Sequence, residues 1–366
     1  MITSTYDPAL PLARLTVERQ LIALPQPGWT YAHHPHLGRL GQQLIAIWSS
    51  GRRDEDAPGQ RVLFSTTGAD RQWSPPQVLA DIAQVADGDD ELVLTACGLH
   101  AHAGQITAYV GCYRAATEGR PISGSRLLAL TSTDLQTWTP LQDLGVPVIP
   151  NHGPQAIAGG RLLITGNVAF PYTDDPTGLS GWRMSGIYPA DKLGMCDDPG
   201  IFWRVREWMD YPVALCEGAL LQTDDGVVRM LLRSTGHAFA GRLWATASTD
   251  RGLTWSRPIE TGLTDCDTKF HLGRLADGRF YYVGCPNPAE REVRSTLVLS
   301  MSEDGRHFAE HALIADTAWA QAVAGCSKHG DYGYPHTLVD GDDLLVIVSR
   351  QKEAIEVLRI LGINRR

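Results

Sequence analysis

The chain has 366 residues, 43% apolar and 20% charged, a composition that fills a sizeable core and is unlike a disordered or fibrous chain. Its 32 Lys and Arg stand against 41 Asp and Glu, and the net charge of −9 argues against nucleic acid or an anionic membrane as main partner. No apolar run approaches the ~18 residues of a membrane span, and the N-terminus has no basic-then-apolar signal pattern. The chain therefore reads as soluble, cytoplasmic or exported without a visible signal. Seven cysteines, an odd set with no CxxC pair, argue against a disulfide framework or a zinc ribbon.

Gly and Pro, 37 and 22 of them, interrupt the sequence too often for long helices. Six short runs rich in β-branched and aromatic residues recur instead, at 43–50, 104–113, 161–170, 227–234, 279–285 and 344–350. Each comes with a turn glycine, namely Gly41, Gly104, Gly160, Gly226, Gly278 and Gly341, with spacings of 63, 56, 66, 52 and 63 residues. A repeat of this length with several short strands per unit predicts an all-β fold, a six-bladed β-propeller formed as one domain over 1–366. Pairing of the N-terminal strand around 15–24 with the last strand near 355–360 is expected to close the ring and protect its edges.

A second repeat supports the first. Ser248-Thr-Asp250-Arg-Gly252-Leu-Thr-Trp255 fits the Asp-box pattern Ser-x-Asp-x-Gly-x-x-Trp, with weaker copies ending at Trp73, Trp138 and Phe308. In such a box the Asp accepts backbone hydrogen bonds in a turn, Gly supplies a positive φ, and the aromatic ring packs between sheets. The boxes are structural and mark the fold, not the chemistry.

Chemistry is sought where propeller loops converge on the axis. The starts of the first strands of each blade read as His33-His34-Pro35-His36, His100-Ala-His102, Asn151-His152, Cys216-Glu217, Lys269-Phe-His271 and Tyr334-Pro-His336. The ends of the second strands read as Trp48, Arg114, Asn167, Arg233, Asn287 and Arg350. Loops on the same rim add Asp54, Glu55, Asp56 and Gln60 after the first hairpin and Arg291 and Arg294 in the fifth unit. Neighbouring carboxylates suit a general acid, because mutual repulsion raises a pKa.

These residues and the Asp boxes resemble the sialidase (BNR/Asp-box) superfamily of six-bladed propellers over essentially the whole chain. The resemblance implies a glycoside hydrolase in which Tyr334, polarised by Glu217, attacks or stabilises the anomeric carbon. Asp56 or Glu55 would shuttle the proton, and Arg233 and Arg294 would bind an acidic group of the sugar. Arg291, Arg350, Gln60, His100, His102, Asn151, Lys269 and Trp48 complete the expected substrate contacts. True sialidases carry an Arg ahead of the first hairpin, where this chain has Tyr31-Ala-His33-His34-Pro35, so a different acidic or uronate-linked terminal sugar is expected.

Similar propellers include rhamnosidases and polysaccharide lyases acting beside a uronate, in which His moves the proton; His34 and His271 would do so here. A non-catalytic carbohydrate-binding propeller, using Trp29, Trp48, Trp182 or Trp203 for stacking, is the third reading. The partner in every case is a glycan. No cofactor or metal is assigned: His33-His34-x-His36 and His100-x-His102 have ligand-like spacing, but alternate residues of a polar channel strand look the same.

Overall fold

The computed structural model describes residues 1–366 apart from 69, 86–90, 117–121, 189–191, 193–200, 237–239 and 365–366, and apart from the side chains of 201–203. Among the described residues the chain lays down six main sheets in sequence order. The first holds Tyr31–Leu40, Gln43–Gly51, Arg61–Thr66 and Gln77–Ala80, and the second Leu92–His102, Gln105–Arg114, Ser123–Ser132 and Gln142–Asp143. The third holds His152–Ala156, Leu162–Thr165 and Tyr172–Thr173, and the fourth Ala214–Gln222, Val228–Thr235, Arg242–Ser248 and Ile259–Thr264. The fifth combines His271–Arg274, Phe280–Gly284, Leu297–Ser302 and Glu310–Ala315 with the short N-terminal Ala13–Arg14.

The sixth is built from both ends of the chain. Gly333–Asp340, Asp343–Arg350 and Ala354–Ile360 are followed by Val17–Ala23, which runs antiparallel to the last of them with Ile355 opposite Ala23 and Ile360 opposite Val17. The pairing falls within the segments expected from the sequence. The six apolar runs are the second strands of the six sheets; the third run ends early, at Thr165, because Gly166 and Ala169 pair across a tight turn with Asn167 at φ 53°. One element had no helical signal in the sequence: an α-helix at Ile201–Trp208, between the third and fourth sheets.

Apolar side chains are buried between sheets. Ile45, Ile47, Phe64, Leu94, Val110 and Leu130 join the first sheet to the second, and Ala46, Trp48, Leu345, Ile347 and Val357 join the sixth to the first. Each large side chain so buried contributes about 1.5–3 kcal/mol. The Asp boxes act as expected: Asp250 Oδ1 accepts from the amides of Leu253 and Thr254 at 3.1 and 2.9 Å, and Trp255 packs edge-on against Phe170 of the preceding sheet at 4.8 Å. In the shortened copy, Asp134 accepts from Gln136 and Thr137, and Leu135 stands at a positive φ of 61° where the full box has Gly252 at 84°.

The first strands matter most for function. That of the first sheet packs against those of the second and the sixth, and that of the fifth against those of the fourth and sixth, so these strands surround a common hollow. Five of the six carry a register slip, at His33/His36, Ala96/Gly98, His152/Gln155, Leu215/Gly218 and Gly333/His336. A bulge leaves a residue outside the ladder and re-aims its side chain. Here the slips fall beside or around His34, Glu217 and Tyr334.

Candidate active site

A cavity of about 230 Å³ lies where the six sheets meet, and each contributes to its wall: His34, Tyr113, Asn167, Glu217, Lys269 and Tyr334 come from or adjoin sheets one to six in order. Tyr334 is held at φ 54° between Gly333 and Pro335, a left-handed conformation that costs a bulky residue energy and is commonest at functional sites. Its hydroxyl donates a short hydrogen bond to Glu217 Oε1. Burial, then the charge of Glu217, push the phenol well above its ordinary value, so it needs this carboxylate as base to become a nucleophile.

Behind the pair stand the arginines. Arg233 Nε is 2.5 Å from Glu217 Oε2, an ion pair angled away from hydrogen-bond alignment, and 3.5 Å from Asp267 Oδ1. Arg294 donates to the backbone carbonyl of Asp267 at 3.0 Å, and Arg291 to its carboxylate at 2.9 Å. Arg233 and Arg294 thus lie 5.9 and 5.8 Å from the centre of the Tyr334 ring, held by Asp267 outside the cavity wall.

Facing them, Asp56 accepts a short hydrogen bond from the hydroxyl of Tyr113. Burial, reinforced by the neighbouring charge of Glu55, pushes its carboxyl up to about 6, into the range of a general acid. Glu55 itself is tied to Lys352 at 2.6 Å and to the hydroxyl of Tyr31 at 3.3 Å, whereas Asp56 is held through Tyr113. Lys269 is the one Lys or Arg in the described cavity wall; its ammonium donates to the Asn151 carbonyl at 2.6 Å, and burial lowers it to about 7. Asn151 and Asn167 are joined side chain to backbone at 3.0 Å beside it. His34 completes the wall, with its Nδ1 3.1 Å from Ser49 Oγ, and burial pushes it down to about 3.

Family and structural comparisons follow the same outline. Residues 42–347 match the model of the BNR repeat-like domain. The chain belongs to that family. None of the curated proteins matches the sequence. Among solved structures, a protein of unknown function from Dyadobacter fermentans DSM 18053 is similar at 15% identity and a TM-score of 0.65, with 96% of this chain and 100% of that one covered. Trypanosoma rangeli sialidase in complex with sialic acid is similar at 13% identity and TM-score 0.65, covering 96% of this chain and 60% of that one. The intramolecular trans-sialidase from Ruminococcus gnavus in complex with oseltamivir carboxylate is similar at 11% and 0.60, covering 94% and 98%. This BNR repeat-like chain therefore has a sialidase-like β-propeller fold and spans about three fifths of the trypanosomal enzyme's length.

Several residues proposed from the sequence lie elsewhere in the BNR repeat-like fold. Trp48 is in the core between the sixth and first sheets, because alternation along its strand turns it away from the hollow. Arg350 is buried and bound to Glu356 and the carbonyls of Asp331 and Thr317, so it ties a loop to the sixth sheet. Gln60 bridges the first and second sheets through Leu94 and Thr95. His100 and His102 stack at the hairpin end of Leu92–His102; that strand is eleven residues long, so the cavity receives Thr95 and Ala96 from its middle. His271 stands off the cavity, with Nδ1 2.6 Å from Thr337 Oγ1.

Trp29 is covered by Arg52 and Arg61, and Trp182 packs against the core of the third and fourth sheets; the side chain of Trp203 lies outside the described residues. Six cysteines are described, five of them buried and Cys326 exposed, and Cys196 is outside the description. No described helix is long and apolar enough to cross a membrane. Sequence reasoning missed Tyr113 and Asp267. Tyr113 stands one place before Arg114, the residue the strand-end rule selects, whereas Asp267 has no sequence signal beyond lying between Cys266 and Lys269.

Proposed function

We propose that this chain is a sialidase-type glycoside hydrolase that removes a terminal sugar carrying, or linked to, an acidic group from a glycan. The observation that carries the reading is the hydrogen bond from the Tyr334 hydroxyl to Glu217 in a cavity whose other wall presents Asp56. Glu217 takes the phenolic proton as the oxygen attacks the anomeric carbon, and protonated Asp56 gives its proton to the departing glycosidic oxygen as that bond breaks. Asp56, now a carboxylate, then takes a proton from the water that attacks the anomeric carbon, and the Tyr334 oxygen, as its bond to the sugar breaks, recovers its proton from Glu217. A Tyr nucleophile is a known departure from the two-carboxylate scheme.

Arg233 and Arg294 sit near enough to Tyr334 to favour negative charge on its oxygen, and their engagement with Asp267 gives them a positioning part. The acidic group of the sugar then meets Lys269, with the Asn151 and Asn167 amides alongside. The lyase or rhamnosidase reading loses support because His271 is off the cavity and His34 is too weak a base. The six sheets are read as blades of one closed ring spanning 1–366, supported by the pairing of Val17–Ala23 with Ala354–Ile360.

The test is hydrolysis of a panel of aryl glycosides of sialic and uronic acids and their neutral counterparts, with a fluorinated analogue to trap the sugar on Tyr334 for mass spectrometry. Turnover of acidic members and an adduct on Tyr334 are expected. An unsaturated uronate product, or tight binding without turnover across the panel, overturns the proposal in favour of a lyase or a binding module.

A further inference from the structure

A second hollow of about 300 Å³ shares no lining residue with the active-site cavity, and beside it four imidazoles converge. His36, His152, His271 and His336 come from the first strands of sheets one, three, five and six. Ring centres are 5.1 Å apart for His36 and His336, 4.8 Å for His152 and His271, and 4.4 Å for His271 and His336. One nitrogen each of His36, His152 and His336 lies within 4.8 Å of the other two.

Their hydrogen bonds are unbalanced. The Nε2–H of His152 donates to the Phe270 carbonyl at 2.9 Å, which fixes the tautomer and leaves a lone pair on Nδ1; that Nδ1 is buried without a partner. His36 is fully buried, and neither of its ring nitrogens has a partner. Buried polar atoms in native proteins are almost always satisfied, and an orphaned imidazole at the meeting point of three sheets calls for an occupant. A backbone carbonyl on the far nitrogen of a histidine is also the usual outer-shell support of a metal ligand.

We propose that His36, His152 and His336 bind one divalent transition-metal ion of the zinc class, which ties the first, third and sixth sheets together. His152 ligates through Nδ1 and His36 through one of its unpartnered nitrogens. His336 joins by releasing the 3.2 Å hydrogen bond that its Nδ1 accepts from the Leu37 amide. Imidazole donors without a carboxylate select zinc, cobalt, nickel or copper over calcium and magnesium, and the second hollow supplies the path of entry.

In the other grouping of possible ligands, His33, His34 and Glu55, the Nε2 of His33 is also buried without a hydrogen-bond partner, but the carboxylate is ion-paired with Lys352 at 2.6 Å and His34 Nδ1 lies 3.1 Å from Ser49 Oγ, so a cation there competes with a charge already present. This site is independent of the glycosidase reading, because it uses none of that cavity's residues.

The test loads the chelator-stripped full chain with Co²⁺ and with Zn²⁺. One equivalent of tight binding, visible d–d absorption of a nitrogen-ligated Co²⁺ and a rise in Tm with added Zn²⁺ are expected. His36→Gln and His152→Gln are each expected to weaken binding by at least about 100-fold, a loss in the upper range seen even for outer-shell changes. His34→Gln is expected to leave it unchanged.

No stoichiometric binding overturns the proposal, as does binding that survives His36→Gln and His152→Gln or that is lost in His34→Gln. If the two variants do not fold, X-ray absorption of the zinc-loaded native chain decides: three imidazoles support the site, and fewer overturn it.

Discussion

In the first sheet His33-His34-Pro35-His36, and in the sixth Gly333-Tyr334-Pro335-His336, pass through the same irregularity. The ladder slips across each segment, and the residue before proline stands at φ 53° in one and 54° in the other. Both side chains reach the cavity wall, yet the Tyr334 hydroxyl meets a carboxylate from the fourth sheet, while the Nδ1 of His34 meets the hydroxyl of Ser49 on the neighbouring strand of its own sheet and its ring packs edge-on against Tyr334 at 5.4 Å. The backbone presents a side chain; what stands opposite makes it reactive. On this account the sixth sheet carries the nucleophile, and the first, through its following loop, carries the acid.

The largest effect is expected from deleting residues 1–24, which strips the outer strand from the sheet that carries Tyr334. No cooperative melting transition by circular dichroism is the expected result, and a well-folded truncated chain would refute the ring. Next, Tyr334→Phe keeps the ring and the bulge but removes the hydroxyl, and kcat on the best aryl glycoside is expected to fall at least about 10³-fold. The matching change in the first sheet, His34→Ala, is expected to cost less than about 10-fold. Equal losses would dissolve the distinction between the two bulges.

Asp56 separates the roles further. Burial, then the charge of Glu55, pushes its carboxyl up to about 6, and the proposed mechanism needs it protonated, so kcat/KM is expected to fall as pH rises through that value. Asp56→Asn is expected to abolish this limb and lower kcat about 10²-fold, less for leaving groups that need no proton. An unchanged pH profile in the variant would assign the acid elsewhere.

Smaller still, Asp267→Asn withdraws charge from Arg233 and Arg291, and a stability loss of about 1–3 kcal/mol with reduced kcat and little change in KM is expected from denaturant curves and kinetics. A rise in KM alone would mean that the arginines hold the substrate instead. The smallest effect belongs to Asp250→Ala in the Asp box, about 1 kcal/mol of stability with activity retained.

Much of the fold is legible locally. A turn glycine, a strand-length apolar run and an Asp box are each decided by neighbours within about ten residues, which is why the six second strands, the third cut short at Thr165, and the terminal pairing fall on the runs the sequence marks. The site is less so. Glu217 and Tyr334, like Lys269 and Asn151, surfaced through the rule that first strands start at the rim, and the family resemblance gave the first two their roles. The same rule misplaced His100 and His102, because the strand holding them begins at Leu92 and a one-sequence reading does not reveal how far it runs.

Composition and short-range pattern thus settled that this chain would be strands and turns with its apolar residues between sheets, since those preferences act within one or two turns of backbone. Which polar groups became neighbours was left to assembly. Glu217 and Tyr334 are 117 residues apart, and only the packing of separate sheets around one hollow brings the carboxylate to the phenol, closes Asp267 on the arginines and gathers His36, His152 and His336. Contacts of that span depend on the register and tilt of several strands at once, and no local stretch of sequence encodes them.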